Sequence, residues 1–203
     1  MTRTAGSHGP TTSLAIQEAG LRLIYEHGYE AMSLRQLAAE VGLQSASLYN
    51  HIKTKQDLLF KLIHNHMITL LEQTDAALSV ATGNAEHKLR RFIHHHLTYH
   101  MAKKQEVFVA NFELRGLDSR NYKTIISLRR DYESRLIAIL DQGVAERSFD
   151  LTDTHVSAYA MLAMLTGACT WYKPHGRLSE EDVVELHTRM LLDGCLRHMD
   201  RNS

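Results

Sequence analysis

Helix breakers are scarce in this chain of 203 residues, which has two prolines, Pro10 and Pro174, and 11 glycines. That scarcity favours long helices over many short strands joined by tight turns. Cysteine is scarcer still: Cys169 and Cys195 stand far apart and fit no metal-ligand or disulfide spacing. Both are expected to be ordinary reduced thiols in a cytosolic protein. The longest apolar stretch, Val156 to Cys169, is interrupted by Ser157, Thr166 and Gly167. It falls short of the ~18 residues that suggest a membrane span, so it reads as a buried or interface helix and no membrane partner is expected. No N-terminal segment combines a basic start with an apolar run, so no signal peptide is expected. Surplus charge is lacking as well: 23 Lys and Arg balance 23 Asp and Glu. The chain is therefore no polycation, and any nucleic-acid partner must be met by a local site. What the chain does have is 44% hydrophobic residues, enough for one sizeable core or for a small module plus a larger one.

Hydrophobic spacing predicts an all-α fold of about nine helices. Residues 1–11, with Gly6, Gly9 and Pro10, read as a flexible arm. A first helix is expected over 12–27, stopped by Gly28. Ser33-Leu34-Arg35-Gln36 has the form of a capping box, opening a second helix that Gly42 ends. A short third helix is expected over 45–51, and Thr54, with Asp57 three residues on, caps a long fourth. Further helices are expected over 85–103, 105–114, 119–142, 152–171 and 179–199, with Asp118, Thr152 and Ser179 as candidate caps.

Two short helices around Gly42 cannot build a core alone. Packed on helix 1 and the start of helix 4, they make a helix-turn-helix that projects the second short helix into the DNA major groove. The chemistry of that helix fits base edges: Gln44 can pair with adenine, Ser45 and Ser47 can donate or accept, and Ala46 can touch a thymine methyl. Tyr49, His51, Lys53 and Lys55 cluster beyond it, suited to holding phosphates, and Thr54 adds backbone donors at a helix start. Residues 1–55 hold five cations (Arg3, Arg22, Arg35, Lys53, Lys55) against four glutamates (Glu18, Glu26, Glu30, Glu40), a net of +1, so only a few phosphate contacts per subunit are expected.

The run from Gly42 through Leu48-Tyr49-Asn50-His51-Ile52 to Lys55 and Leu58-Leu59 resembles the helix-turn-helix motif of the TetR family of transcriptional repressors. Gly28-Tyr29 and Ser33-Leu34-Arg35-Gln36-Leu37-Ala38 match the same family upstream, and Ile52 stands where an aromatic is usual. The resemblance covers about residues 12–60. It implies a DNA-binding domain over 12–58 and a ligand-binding and dimerisation domain over 59–203. It also implies that Ser33, Arg35, Gln44, Ser45, Ser47, Tyr49, His51 and Lys55 face DNA.

In the C-terminal part, Val156, Tyr159, Ala160, Leu162, Ala163, Met164 and Leu165 make a helix apolar nearly all round, which must be covered on every side. With Val183, Val184, Leu186, Met190, Leu191 and Leu196 of the last helix, it forms half of an intersubunit four-helix bundle or else caps its own subunit's core. Arg129 sits in an apolar stripe with Tyr122, Ile125, Tyr132, Leu136 and Leu140, where it pairs with Glu133 or anchors an anionic effector. His66, His96 and His100 face inward, and His94 and His95 outward. Histidines four apart can share a metal, but no cysteine or paired carboxylate stands close by, so pocket-lining or core histidines are expected and no metal. The stretch Trp171–Ser179, the run from Phe108 through Phe112-Glu113-Leu114-Arg115, and Leu128–Glu133 are similar to a TetR branch that includes acyl-CoA-responsive regulators of lipid and steroid catabolism. That similarity implies a CoA-thioester effector, met by Arg129, Arg130, Trp171 and Lys173.

The expectation is a cytoplasmic, homodimeric repressor with no cofactor and no catalytic residue. It binds a palindromic double-stranded DNA operator and is released by a small molecule, with His66, His96, His100, Phe108, Phe112, Tyr122, Arg129 and Trp171 lining the effector site. Two other readings are open: a metal-dependent helical hydrolase using His66, His96 and His100, and an effector-free DNA-binding activator.

Overall fold

The computed structural model describes residues 9–81 and 83–196. Among these the chain forms nine α-helices and one 3-10 turn, with no strand beyond an isolated bridge between Phe149 and Leu196. The helices are α1 (Gly9–His27), α2 (Leu34–Glu40), α3 (Ser45–Leu48), α4 (Lys55–Ser79), α5 (Ala85–Ala102), α6 (Lys104–Phe112), α7 (Ser119–Ala145), α8 (Thr154–Trp171) and α9 (Glu180–Asp193), with the 3-10 turn at Leu114–Gly116. The arm expected over 1–11 lies outside the described residues up to residue 8, and from Gly9 the chain is already in α1. No described helix is long and apolar enough to cross a membrane.

The chain divides into two compact units, one holding the described residues up to His66 together with Gln105–Ile125, the other Met67–Lys104 and the described residues from Ile126 on. In the first, α2 packs on α1 and α3 on α2. Gly28 and Gly42 both adopt left-handed backbone, at φ +84° and +68°, and each ends a helix. After Gly42 the Leu43 N–H turns back to the Ala38 carbonyl at 2.8 Å, setting the sharp corner between α2 and α3. The Ser33 hydroxyl accepts from Gln36 N–H at 3.1 Å, the half of the expected capping box that the side chain of Ser33 supplies. Thr54 and Asp57 cap α4 reciprocally, at 3.1 and 3.0 Å. Leu37, Leu48, Ile52, Leu58, Leu59 and Ile63 bury almost completely. Truncating any one of them would cost about 2–5 kcal/mol.

Helix α3 is shorter than the expected 45–51. Asn50 and His51 donate to carbonyls three residues back, at 3.2 and 2.9 Å, so the backbone tightens into a turn that drops Ile52 into the core. In the second unit α5 packs against both α8 and α9. Asp153, not Thr152, caps α8, its carboxylate accepting from Val156 N–H at 2.9 Å. A carboxylate there also meets the positive end of the helix dipole, which a threonine cannot match. Ser179 and Asp182 form a full capping box on α9. That helix ends at Asp193 in a turn rather than running to 199, and residues 197–199 lie outside the described residues.

Candidate nucleic-acid interface

Helix α3 buries Leu48 and leaves the rest of its short surface open. Gln44, Ser45, Ala46 and Tyr49 are exposed and Ser47 is half-buried. Gln44 sits at the N-cap position, yet its exposed side chain makes no capping bond. Ser33 and Arg35, at the head of α2, are exposed too, as is Lys53; His51 is half-buried in the turn. Arg22 pairs with Glu40, tying α1 to α2. All ten predicted side chains of this group fall within one compact unit, on the segment 33–55.

Lys55 differs from Lys53 in being held. Its Nζ donates to the Glu30 carbonyl at 3.0 Å and stands 4.3 Å from the centre of the Tyr29 ring. The ammonium is thus fixed at the first residue of α4 by a cation–π contact and a hydrogen bond. Sequence reasoning missed this cradle. Gly28-Tyr29 stood in the family motif, but nothing in local spacing joins Glu30 to a lysine 25 positions on.

The eight residues expected around an effector do not form one cluster in either unit. His66, Phe108, Phe112 and Tyr122 belong to the first unit, where Phe108 stacks edge-on against Tyr25 and tilts on Phe112. Phe112 and Tyr122 are exposed. His96, His100, Arg129 and Trp171 belong to the second unit. Arg129 is half-buried on α7, with its Nε shielded from solvent. Trp171, at the end of α8, is half exposed and stacks on His187 with 6.0 Å between ring centres. It lines a small pocket of about 200 Å³ with Tyr172, Lys173 and Arg177. A larger groove of about 610 Å³ runs between α5 and α9 and contains none of the eight.

His96 and His100 do come together, stacked with ring centres 3.7 Å apart. His96 is fully buried, and both ring nitrogens are engaged: Nδ1 with the Tyr132 hydroxyl at 2.8 Å, Nε2 with the Thr166 hydroxyl at 3.2 Å. Tyr132 in turn bonds Thr74, whose hydroxyl donates to the Leu70 carbonyl at 2.7 Å. Thr74 has spent its hydrogen, so it accepts from Tyr132; Tyr132 then accepts from His96 Nδ1–H, and His96 Nε2 accepts from Thr166. The chain runs in one direction across α8, α5, α7 and α4. Burial holds the His96 imidazole well below the ordinary histidine range, with His100 adding to the effect, and pushes the Tyr132 phenol up. His100 Nδ1 donates to the His96 carbonyl at 2.8 Å.

In this arrangement both ring nitrogens of His96 are taken up by hydroxyl partners. Among the described residues no three His, Cys, Asp or Glu side chains are grouped to hold a metal ion. The expectation that His95 faces outward is corrected. It is half-buried with Nε2 shielded, and burial, then the neighbouring Arg91, pushes its pKa down.

Residues 16–62 match the family model for bacterial regulatory proteins of the tetR family, and residues 82–195 match the model for the tetracyclin repressor-like C-terminal domain. Among curated relatives, the chain is 26% identical over 171 residues to the HTH-type transcriptional repressor KstR2 of Mycolicibacterium smegmatis, covering 83% of each chain. Among solved structures, the TetR family transcriptional regulator PfmR of Thermus thermophilus is 31% identical with a TM-score of 0.80, over 90% of this chain and 99% of that one. AibR in complex with isovaleryl coenzyme A and operator DNA is 27% identical with a TM-score of 0.82, over 89% of this chain and 98% of that one.

Proposed function

Because the chain belongs to the TetR family of transcriptional regulators and carries its DNA-binding helix-turn-helix, we propose that it acts in the cytoplasm as a homodimeric repressor, reading a palindromic operator and leaving it when a CoA thioester binds. The observation that carries the reading is α3, which buries one leucine and turns Gln44, Ser45, Ala46 and Tyr49 outward. Those four groups, with Ser47 and His51, have the donors, acceptors and methyl that base edges in the major groove require. Ser33, Arg35, Lys53 and Lys55 fit the phosphates on either side. With so few cations per head, a single head would bind weakly and salt-sensitively; two heads joined in a dimer multiply their effective concentration.

A homodimer also answers the apolar surface of the second unit. Val156, Tyr159, Met164 and Met190 are large, apolar and exposed on α8 and α9. An apolar surface of this kind on a single chain marks an association face. Reading helices in such a dimer must fall ~34–36 Å apart to meet successive major grooves. An effector that binds the mis-spaced state better shifts the population off the operator; moving from 99% on to 99% off takes about 5.5 kcal/mol of differential binding.

The acyl-CoA assignment draws on AibR, solved with isovaleryl coenzyme A and operator DNA. In this chain the half-exposed Trp171 with Lys173 and Arg177 beside it offers a ring face for adenine and cations for phosphate. The experiment that tests the reading is native mass spectrometry of the protein purified from its source organism, followed by operator release titrated with isovaleryl-CoA, longer acyl-CoAs and free CoA. Release by an acyl-CoA at micromolar concentration supports it. An operator complex indifferent to every acyl-CoA contradicts that part.

A further inference from the structure

The cradle of Lys55 is built largely by residues outside the helix-turn-helix. Tyr29, the first residue past the left-handed Gly28, is only 7% exposed. Its backbone N–H donates to Glu113 Oε1 at 3.2 Å. The Lys55 ammonium lies over its ring, and its hydroxyl bonds the Gln56 side chain. The backbone of Gly116 lies against the ring edge, where a Cβ would stand 2.5 and 2.9 Å from two ring carbons. Gln56 fastens the same loop again: its amide donates to the Gly116 carbonyl and accepts from Asp118 N–H at 3.2 Å. Segment 113–118 thus grips Tyr29 by backbone and ring edge, and through Gln56 by the hydroxyl. All of this lies within one compact unit.

We propose that Glu113 and Gln56 are positioning residues for DNA binding, which hold Tyr29 and so keep the Lys55 ammonium where it meets a backbone phosphate. The proposal rests on the assignment of Lys55 to the DNA face. A lysine on a long flexible stem normally gives up rotamer freedom when it grips a phosphate. Lys55 has given it up beforehand, since one ammonium hydrogen is committed to the Glu30 carbonyl. Two hydrogens remain to donate to a phosphate oxygen. Both the carbonyl and the ring that steer the ammonium belong to residues 29 and 30, and Glu113 fixes that pair by its bond to the Tyr29 N–H.

The test is a double-mutant cycle on a genomic fragment that the unaltered protein binds, read by fluorescence anisotropy over a salt series. Glu113→Gln is expected to weaken binding about 3- to 10-fold and to lower the salt slope by up to ~0.9 per subunit, towards the slope of Lys55→Ala. The double variant Glu113→Gln/Lys55→Ala should bind no more weakly than Lys55→Ala alone. Losses that add in the double variant, with the Glu113→Gln slope unchanged, would show a merely structural role and overturn the proposal. So would tighter binding by Glu113→Gln, which would mean that the cradle withholds Lys55 from DNA. An unaltered affinity in Lys55→Ala would instead remove that lysine from the DNA face, and the proposal with it. Should Glu113→Gln melt at a markedly lower temperature, Gln56→Ala carries the same cycle from the other end of the clamp.

Discussion

Acidification should destabilise this protein through His96, and the loss can be assigned to that one ring. In the folded chain His96 is fully buried and neutral, and its pKa is depressed well below the ordinary value by burial first and by His100 second. The ring meets His100 and Phe92 on the same helix, Tyr132 on α7 and Thr166 on α8, and the charges acting on it are those of His100 and His95, none of them a carboxylate. In the unfolded chain a histidine titrates near ~6.5. As pH falls, protons therefore bind the unfolded chain first. The stability tied to the neutral ring is intact above ~6.5 and is lost progressively below it, at a limiting ~1.4 kcal/mol per pH unit until the folded pKa is reached. Between pH 7 and pH 5.5 one such histidine removes about 1.3 kcal/mol, or about 3–5 °C of Tm for a chain of this size. The assay is thermal unfolding by circular dichroism at both pH values, for the unaltered protein and for His96→Gln. The variant starts less stable, since it loses part of the chain from Thr166 to Thr74. Its Tm should nevertheless fall by about 3–5 °C less on acidification. His95, also depressed, is present in both proteins and cancels. An equal fall in the two proteins would refute the assignment of a neutral, proton-refusing His96.

Other perturbations have equally definite outcomes. Gly143→Ala would put a Cβ 2.0 Å from the Phe149 ring, so it should destabilise by about 1–3 kcal/mol despite the better helix propensity of alanine, seen as a lowered Tm; an unchanged Tm would contradict the packing. Leu48→Ala empties a fully buried position under α3 and should cost about 2–5 kcal/mol and abolish operator binding, by calorimetry and anisotropy. Tyr49→Ala, at a residue 54% exposed, should leave the Tm within about 1 °C yet weaken operator binding about tenfold. Tyr159→Glu with Met190→Glu places charge on the exposed apolar surface of α8 and α9, and sedimentation should then show monomers; a persisting dimer would move the interface elsewhere.

The reading head was legible because its signals are local. Ser33 and Thr54 announce their helices three residues ahead of the partners that complete the caps, and Gly42 supplies a left-handed corner that other residues resist. The all-round apolarity of α8 likewise showed in its spacing, and the structure leaves Val156, Tyr159 and Met164 of it exposed. What lay hidden depends on distance along the chain. Tyr29 and Glu113 are 84 positions apart, His96 and Thr166 are 70, and no periodicity links them. The wheel placed His95 outward because it considers one helix at a time, whereas burial is decided by the neighbours that the helix meets. Thr152 was the cap expected from sequence, but the side chain that reaches Val156 N–H is the carboxylate of its neighbour Asp153.

The central claim is that this chain reads DNA as a dimer through α3. Its most direct measurement is footprinting on genomic fragments selected by the unaltered protein, repeated with Gln44→Ala/Tyr49→Ala. The predicted result is a protected palindrome whose half-sites lie one or a whole number of helical turns apart, about 10 base pairs per turn, lost in the double variant while its fold and dimer persist. Protection of a single asymmetric site, or a palindrome still protected when both side chains are gone, would contradict it.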